Sequence, residues 1–226
     1  MSKIKPLPSY LFFPLFMGSL VVLAYILQKE IWPQIIDWGI KPRKAEGLPG
    51  IFLGNFIHQD LMHLFNNVLA FMFASVSLYY FHRKWAWKII LQGIFITGLL
   101  TWITARPEIH IGMSGLNYVL ISFMIITGIL SKNKSLRAVS LSFIFMYGGL
   151  FWLMFPLIKH ISWESHLSGF LTGLLLSYIY IPYIKEKYPE ENYEFIDQEE
   201  DEFILCFDEH GNFIENNSTE EDFVKN

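Results

Sequence analysis

Six long apolar stretches constrain this chain more than any other feature, because a helix needs about 20 mostly apolar residues to cross a bilayer. The stretches cover residues 10–28, 61–81, 86–104, 114–131, 137–158 and 166–184. The first one ends without a small-residue cleavage site, so we interpret it as a retained helix rather than a removed signal peptide. The predicted fold class is an all-α polytopic membrane protein with six transmembrane helices.

Charge divides the chain into two parts. Residues 1–184 carry 14 Lys and Arg against 6 Asp and Glu, a net +8, whereas residues 185–226 carry 3 against 15, a net −12. This distribution excludes a nucleic-acid binder driven by bulk positive charge, and the lone Cys206 excludes a disulfide scaffold. We therefore predict a membrane domain over residues 1–187 and an acidic, mostly disordered tail over residues 188–226. Within that tail, residues 203–214 are a candidate hairpin of unknown role.

The basic residues also predict an orientation in the bilayer. With the N-terminus inside, the inner segments hold 11 of the 17 Lys and Arg residues and the outer segments hold 6. Both termini are therefore predicted to be cytoplasmic. The long outer loop 29–60 contains Trp32 and Trp38, which favour a segment lying at the membrane interface over a solvated loop.

Polar residues, which are costly inside a membrane, gather where the second, fourth and sixth stretches begin. If these three helices run in the same direction, their first residues share one side of the membrane. Ser114, His166, His63 and Asn67 then lie at a similar depth, in the outer third of the bilayer. This convergence of residues that are distant in sequence predicts a functional site.

The residue types favour nucleophilic catalysis. A serine hydroxyl such as that of Ser114 needs a base to remove its proton, and His166 is the type of base that works near neutral pH. The predicted position of Ser114 at a helix N-terminus favours developing negative charge, and Gly112 and Gly115 permit a tight entry into that helix. His63 and Asn67 lie one turn apart on one helix face, and both can donate hydrogen bonds to an oxyanion.

Three further residues support this arrangement. Gly169 and Gly173 lie on the helix face of His166 and are predicted to bring helix six close to helix four. Tyr118 lies one turn below Ser114, where its ring can pack against the base.

Each of these signals also has a structural interpretation. A Gly-x-Ser-Gly motif in a membrane protein more often packs helices, and a lone His at a helix end is usually interfacial. His58 and His63 do not form the His-Glu-x-x-His zinc motif, so no metal is predicted. Asn66 and Asn117 are predicted to be structural. Four other histidines are predicted to be solvated, namely His82, His110, His160 and His210.

In combination, these motifs resemble those of the rhomboid family of intramembrane serine proteases. The resemblance rests on His58-x4-His63-x3-Asn67, on Gly112-Met113-Ser114-Gly115 with Tyr118, and on His166-x2-Gly169-x3-Gly173. It covers residues 10–184 and implies a six-helix rhomboid-like bundle. Many members carry a Trp-Arg pair in the first outer loop, but residues 48–54 contain neither, which leaves the anchoring of that loop open.

The resemblance implies a Ser114–His166 dyad without a third acidic residue and without any cofactor. His63, Asn67 and the backbone N–H of Ser114 would form the oxyanion hole, and Tyr118 would stack on His166. The fifth helix and the cap after it would gate the lateral entry of substrates, which would be transmembrane helices. By analogy with the family, the protein would lie in a bacterial inner membrane, with its active site opening to the outer face.

Two other classes of function fit the sequence less well. Non-catalytic rhomboid-like proteins bind and escort membrane helices, but they usually lack the serine or the histidine, and this chain has both. A small six-helix transporter would need ionisable residues at mid-helix and inverted repeats, neither of which is visible here.

Overall fold

The computed structural model describes residues 8–159 and 161–187, together with residues 210, 212 and 213. Most of the predicted disordered tail and of the candidate hairpin lies outside these residues, as does His160, whereas His210 is exposed as predicted. By its internal contacts the chain divides into two units, residues 1–189 and residues 190–226. All helices of the described residues lie in the first unit.

Every regular element in the described part of the chain is helical. The α-helices are α1 (Ser9–Glu30), α2 (Gly50–Leu53), α3 (Leu61–Thr104), α4 (Ser114–Leu130), α5 (Lys134–Tyr147) and α6 (Trp163–Lys187). Short 3-10 helices lie at Pro33–Trp38, Ala45–Gly47, Gly54–Phe56 and Gly148–Met154.

Among the described residues, four helical segments are long and apolar enough to cross a membrane: α1, α3, α6, and α5 together with the 3-10 helix that follows it. The α4 helix is also apolar but shorter. Large apolar side chains are exposed on the outside of the bundle, with Phe145 at 91% and Tyr178 at 79%. Such a surface is stable in lipid and costly in water, so the chain is an all-α integral membrane protein.

The second and third predicted helices form one helical element, α3, which turns back on itself at His82, a residue with non-helical backbone angles of φ −124 and ψ 33. If straight, its 44 residues would extend about 66 Å. A Cβ on Gly112 would nevertheless lie 2.7 Å from His63 near the start of α3. The 8 residues from Thr104 to Gly112 span at most about 29 Å, so α3 cannot be straight. Thr97 lies beside Gly115 at the start of α4, whereas His82 lies beside Phe123 further along it, so the second half of α3 runs back towards the level of Ser114.

One sequence prediction about this turn is wrong. His82 is not solvated but only 3% exposed, and its ring packs edge-on against Phe123 of α4 with 5.6 Å between ring centroids.

The fifth stretch is α-helical only from Lys134 to Tyr147. The helix begins after Asn133, whose side chain caps it by accepting a hydrogen bond from Leu136 N at 2.8 Å. The chain then continues as the 3-10 helix Gly148–Met154, called the 3-10 segment below.

The α4 helix forms the centre of the bundle. Twelve of its 17 residues are buried, against four of the 22 in α1. Its neighbours are α3, α5 and α6. A central helix of this kind is largely apolar, and the polar side chains that α4 does carry, such as Asn117 and Ser122, bond within the protein.

Five buried hydroxyl groups in the described helices satisfy themselves locally. Each donates to the carbonyl oxygen four residues earlier, at 2.6 to 2.8 Å, in the cases of Ser75, Thr101, Thr127, Thr172 and Ser177. Because lipid offers no hydrogen-bond partner, this local bond makes small polar residues tolerable within the bundle. The polar groups of the candidate site make longer-range contacts instead.

Candidate active site

Ser114 and His166 are in direct contact although they are 52 residues apart, with 2.9 Å between Ser114 Oγ and His166 Nε2. Ser114 is the first residue of α4, and His166 lies in the first turn of α6. The hydroxyl is half-buried and the histidine is 6% exposed. A hydroxyl donor and an imidazole acceptor at this distance have the geometry that proton transfer requires.

The second ring nitrogen of His166 defines its tautomer. Nδ1 lies 3.0 Å from the carbonyl oxygen of Leu153 in the 3-10 segment. A carbonyl can only accept, so Nδ1 carries the proton and Nε2 presents its lone pair to Ser114. A backbone carbonyl therefore orients the His166 imidazole, in the position that a carboxylate holds in a three-residue triad.

Tyr118 supports the same ring. Its aromatic ring stacks on His166 with 4.5 Å between ring centroids and an interplanar angle of 19°. Its hydroxyl donates to the carbonyl oxygen of Leu150 at 2.6 Å. The 3-10 segment thus supplies two backbone carbonyls, one to the imidazole and one to the tyrosine that stacks on it.

His63 presents a donor towards the loop before Ser114. The side chain of Asp60 caps α3 by accepting from His63 N at 2.8 Å, and Gln59 N–H donates to His63 Nδ1 at 3.5 Å. Because Nδ1 accepts, Nε2 carries the proton. A Cβ on Gly112 would lie 2.7 Å from this Nε2, so the N–H faces the chain two residues before Ser114.

Asn67 lies one turn further along α3 and is 6% exposed. Its Nδ2 donates to the carbonyl oxygen of His63 at 2.9 Å, which uses one of its two N–H groups. The same Nδ2 would lie 3.8 Å from a Cβ on Gly112. His63 and Asn67 therefore place two donor atoms beside one short piece of backbone. Asn66, the preceding residue, is exposed.

Gly112 is required where it stands. Its φ of +100 is a conformation that other residues rarely adopt, and a side chain there would collide with the His63 ring. Its N–H donates to the carbonyl oxygen of Gly54 at 2.9 Å, which ties this turn to the first long loop. The turn at Gly112, which leads into α4, therefore lies close to the donor groups of both His63 and Asn67.

Close packing of α6 on α4 brings the dyad together. A Cβ on Gly169 would overlap the carbonyl oxygen of Gly115, and one on Gly173 would overlap Ser122 Oγ. A Cβ on Gly115 would lie 2.5 Å from Ser165 Oγ. The two helices therefore approach through their backbones, which small residues allow.

Arg106 joins the segments that precede the two dyad helices, a contact that the sequence analysis missed. Its Nη2 donates to the carbonyl oxygens of Lys159 at 3.1 Å and Ile161 at 2.8 Å. Its Nε lies 2.9 Å from Glu108 and 3.7 Å from the buried Glu164. Nothing in the spacing of these residues indicates this cluster, since it is formed between two loops.

His110 belongs to the same cluster, so its predicted solvation is wrong. It is 4% exposed, and its ring nitrogens lie 2.6 Å from Ser162 Oγ and 3.0 Å from the carbonyl oxygen of Arg106. Its backbone exchanges two hydrogen bonds with Ile40, both at 2.9 Å. In the sequence, the burial of His110 is indicated only by its position two residues before Gly112-Met113-Ser114.

Other residues anchor the first long loop in place of the missing Trp-Arg pair. Arg43 Nη1 donates to the carbonyl oxygens of Ile103 at 3.0 Å and Ala105 at 2.8 Å. Trp102 Nε1 donates back to the carbonyl oxygen of Lys44 at 2.9 Å. An arginine and a tryptophan thus hold the loop to the end of α3, but from different positions in the chain.

His58 lies just before α3 and is fully buried. Its ring meets that of His63 edge-on, with 5.0 Å between ring centroids, a contact that the five-residue spacing did not predict because His58 is not on the helix. Burial, together with the neighbouring His63, lowers the pKa of His58 to about 4. The imidazole is therefore neutral near pH 7. Among the described residues, no three His, Cys, Asp or Glu side chains form a possible metal site.

The profile of the Rhomboid domain matches residues 46–183, more than half of the chain, and this range contains every residue of the candidate site. The chain belongs to the rhomboid family. The resemblance drawn from the sequence motifs is thereby confirmed, and the described helices of this rhomboid are those of an all-α membrane protein.

This rhomboid is similar to several mycobacterial proteins. Uncharacterized protein Mb1372 of Mycobacterium bovis and Uncharacterized protein Rv1337 of Mycobacterium tuberculosis are each 30% identical to it over 155 residues, which cover 62% of this chain and 62% of the relative. Uncharacterized protein ML1171 of Mycobacterium leprae is 28% identical over 175 residues, covering 71% of this chain and 67% of the relative. The matched region thus spans about 62% of the length of the first two curated relatives.

Proposed function

We propose that this rhomboid is an intramembrane serine protease in which Ser114 is the nucleophile and His166 is the general base. The observation that carries the proposal is the 2.9 Å contact between Ser114 Oγ and His166 Nε2, combined with a tautomer that leaves Nε2 free to accept the proton. A polar pair with a buried histidine is costly in a membrane protein, which favours a functional explanation over helix packing alone.

The proposed reaction begins when Ser114 Oγ attacks the substrate carbonyl carbon and its proton moves to His166 Nε2. Collapse of the tetrahedral intermediate breaks the C–N bond, and the imidazolium returns the proton to the leaving amine. Water then hydrolyses the acyl-enzyme by the same route, regenerating the hydroxyl. Stacking on Tyr118 and the bond to Leu153 keep the ring in one orientation through both transfers.

The proposed oxyanion hole consists of His63 Nε2–H, the free Nδ2–H of Asn67 and the backbone N–H of Ser114. The donor assignments of His63 and Asn67 follow from the acceptors that occupy their other atoms. Ser114 N belongs to the first turn of α4, where helix N–H groups have no partner within the helix. Preorganised donors of this kind stabilise an oxyanion strongly where water is scarce.

We further propose six membrane crossings, with the two halves of α3 counted separately, and cytoplasmic termini in a bacterial inner membrane. The 17 residues of α4 extend only about 26 Å, less than the hydrocarbon core of about 30 Å, so Ser114 would lie below the outer surface. The dyad would then meet transmembrane helices entering from the lipid, with residues 188–226 forming a separate acidic tail. Local unwinding of the substrate helix would expose its carbonyls for attack.

The test is cleavage of a single-span transmembrane reporter by the purified protein in liposomes, with Ser114→Ala run beside it. We expect cleavage by the wild type and none by Ser114→Ala. Ser142→Ala is the matched control, because it removes an exposed hydroxyl that donates within α5 and does not contact the site. This control should retain full activity.

Labelling with a fluorophosphonate separates catalysis from substrate recognition. A competent dyad should label at Ser114 even if the reporter is not a substrate. Failure of the wild type both to cleave and to label would reject the protease function and favour a rhomboid that binds membrane helices without cutting them.

A further inference from the structure

We infer that Asn117 is a positioning residue for the oxyanion hole, acting through Asn67; the inference rests on the proposed protease function. Asn117 lies three residues after Ser114 on α4, whereas Asn67 is on α3. Its Nδ2 donates to Asn67 Oδ1 at 3.1 Å and to the carbonyl oxygen of Asn67 at 3.0 Å. The helix that carries the nucleophile therefore also holds one of the proposed oxyanion donors.

The two acceptors of Asn67 leave only one orientation for the Asn117 amide. With the amide reversed, Asn117 Oδ1 would face two oxygen atoms that can only accept. Because Nδ2 has two N–H groups, it serves both acceptors at once, which a serine or threonine hydroxyl with one proton cannot do. The site therefore requires an amide group.

Asn117 in turn determines which atom Asn67 presents to the substrate. An Asn67 amide turned by 180° would place its NH2 group against the NH2 of Asn117 and its oxygen against the carbonyl oxygen of His63. Both contacts would be repulsive, so Nδ2 stays on the side of His63 and Gly112, with one N–H free. An acceptor there in place of the donor would repel the oxyanion instead of stabilising it.

The side-chain oxygen of Asn117 shows that an amide at this position costs more free energy than an apolar side chain would. Asn117 is 4% exposed, and among the described residues its Oδ1 has no hydrogen-bond partner. An apolar residue of similar size would avoid this buried unsatisfied oxygen. Retaining the amide is explained by its two N–H groups and by their effect on Asn67.

Asn117 and Tyr118, both near the start of α4, orient different residues of the proposed site. Asn117 bonds to α3 and orients the proposed oxyanion donor, whereas Tyr118 stacks on α6 and orients the proposed base. A single helix beginning at Ser114 thus aligns the nucleophile with both partners. This link between α4 and α3 does not involve substrate contact by Asn117 itself.

The experiment is a double-mutant cycle on kcat and KM for cleavage of the transmembrane reporter, using Asn117→Leu, Asn67→Ala and the double variant. Asn117→Leu keeps the size of the side chain and removes both donors. We expect it to lower kcat about tenfold with little change in KM, since loss of a whole oxyanion donor costs about 10² to 10³ in kcat. In the Asn67→Ala background, Asn117→Leu should lower kcat less than about twofold.

Asn66→Ala is the matched control, because Asn66 is an exposed asparagine adjacent to Asn67 on α3, and it should behave as wild type. Thermal unfolding of Asn117→Leu and Asn117→Ala shows whether either variant is misfolded, and the cycle is analysed on the variant that unfolds like the wild type. Both Asn117 variants could unfold at a lower temperature than the wild type. If labelling of Ser114 by fluorophosphonate then falls by the same factor in the wild-type and Asn67→Ala backgrounds, Asn117 has only a structural role.

Equal losses of kcat in the two backgrounds, or no loss in either, would overturn the inference while leaving the protease function intact. Absence of both cleavage and labelling in the wild type would instead reject the protease function, and the inference with it. If Asn117→Leu lowers kcat only when Asn67 is present, Asn117 is the residue that orients the Asn67 donor.

Discussion

The two sides of the His166 ring are built by opposite means. On the α4–α6 side, backbone approaches backbone so closely that a Cβ on Gly169 would overlap a carbonyl oxygen of α4. On the other side, the 3-10 segment contributes two carbonyl oxygens, while its own side chains Phe151 and Trp152 are 47% and 63% exposed. Even a Cβ on Gly148 or Gly149 would meet nothing within 4 Å.

The difference separates the position of the His166 ring from its orientation. Rigid packing of α6 on α4 sets the distance between His166 and Ser114, because neither backbone can move without losing many contacts. Hydrogen bonds to a loosely packed segment set the tautomer and tilt of the ring. The two properties can therefore be changed one at a time by substitutions on the two sides.

The largest effect is expected from Gly169→Ala, compared with the same change at Gly149. A methyl group at Gly169 would overlap the carbonyl oxygen of Gly115, so α6 must shift away from α4. We expect a loss of about 3 kcal/mol in the free energy of unfolding, the upper end of the usual cost of overpacking, together with loss of fluorophosphonate labelling. Gly149→Ala should leave both unchanged. Similar unfolding temperatures for the two variants would contradict the difference in packing.

The next effect is expected from Arg106→Ala, with Glu108→Ala as its control. Removing Arg106 breaks its bonds to Lys159 and Ile161 and leaves the 5% exposed side chain of Glu164 without its cation. A loss of about 2–3 kcal/mol in unfolding free energy is expected, measured by denaturation in detergent. Glu108 is 61% exposed, so its removal should cost less than about 1 kcal/mol. A comparable cost for both would mean that only the exposed ion pair matters.

A smaller effect, limited to orientation, is expected from Tyr118→Phe. This change keeps the ring that stacks on His166 and removes the hydrogen bond to Leu150. One such bond contributes about 0.5–1.5 kcal/mol, so kcat should fall between about two- and tenfold while the unfolding temperature changes little. Tyr118→Leu, which also removes the stacking, should lower kcat further. Equal kcat for the Phe and Leu variants would argue against support of the base by stacking.

The smallest effect is expected from Trp152→Ala on the exposed side of the 3-10 segment. Trp152 packs only against Phe151 and Phe155 among the aromatic rings of the described chain, with centroid distances of 5.8 and 6.3 Å. If this segment gates substrate entry, loosening it should raise reporter cleavage about twofold, since an aromatic pair contributes about 0.5–1.5 kcal/mol. Labelling by the small fluorophosphonate should not change. If reporter cleavage and fluorophosphonate labelling change by the same factor, Trp152 affects the geometry of the site and not the entry of substrate.

Much of this molecule was predictable because a bilayer limits what an apolar chain can do. Stretches of about 20 apolar residues can satisfy their backbone only as helices, so the helical class and most boundaries followed from hydropathy. The start of α4 at Ser114 agrees with prediction, as does the family, which the domain profile confirms. Histidine burial was not predictable: His82 and His110 were expected in water because they lie between apolar stretches, yet the turn and the loop cluster around them are packed.

By itself, the sequence determined the family, the helices and the set of polar residues from which a site can be built, since periodicity, apolar length and residue type are local properties of the chain. Only the tertiary structure decided which atoms meet. The carbonyls of Leu150 and Leu153 have no sequence signature, because every residue carries one. The contacts made by Arg106 and Asn117 depend on which loops and helix faces come together, and close packing between distant segments decides that.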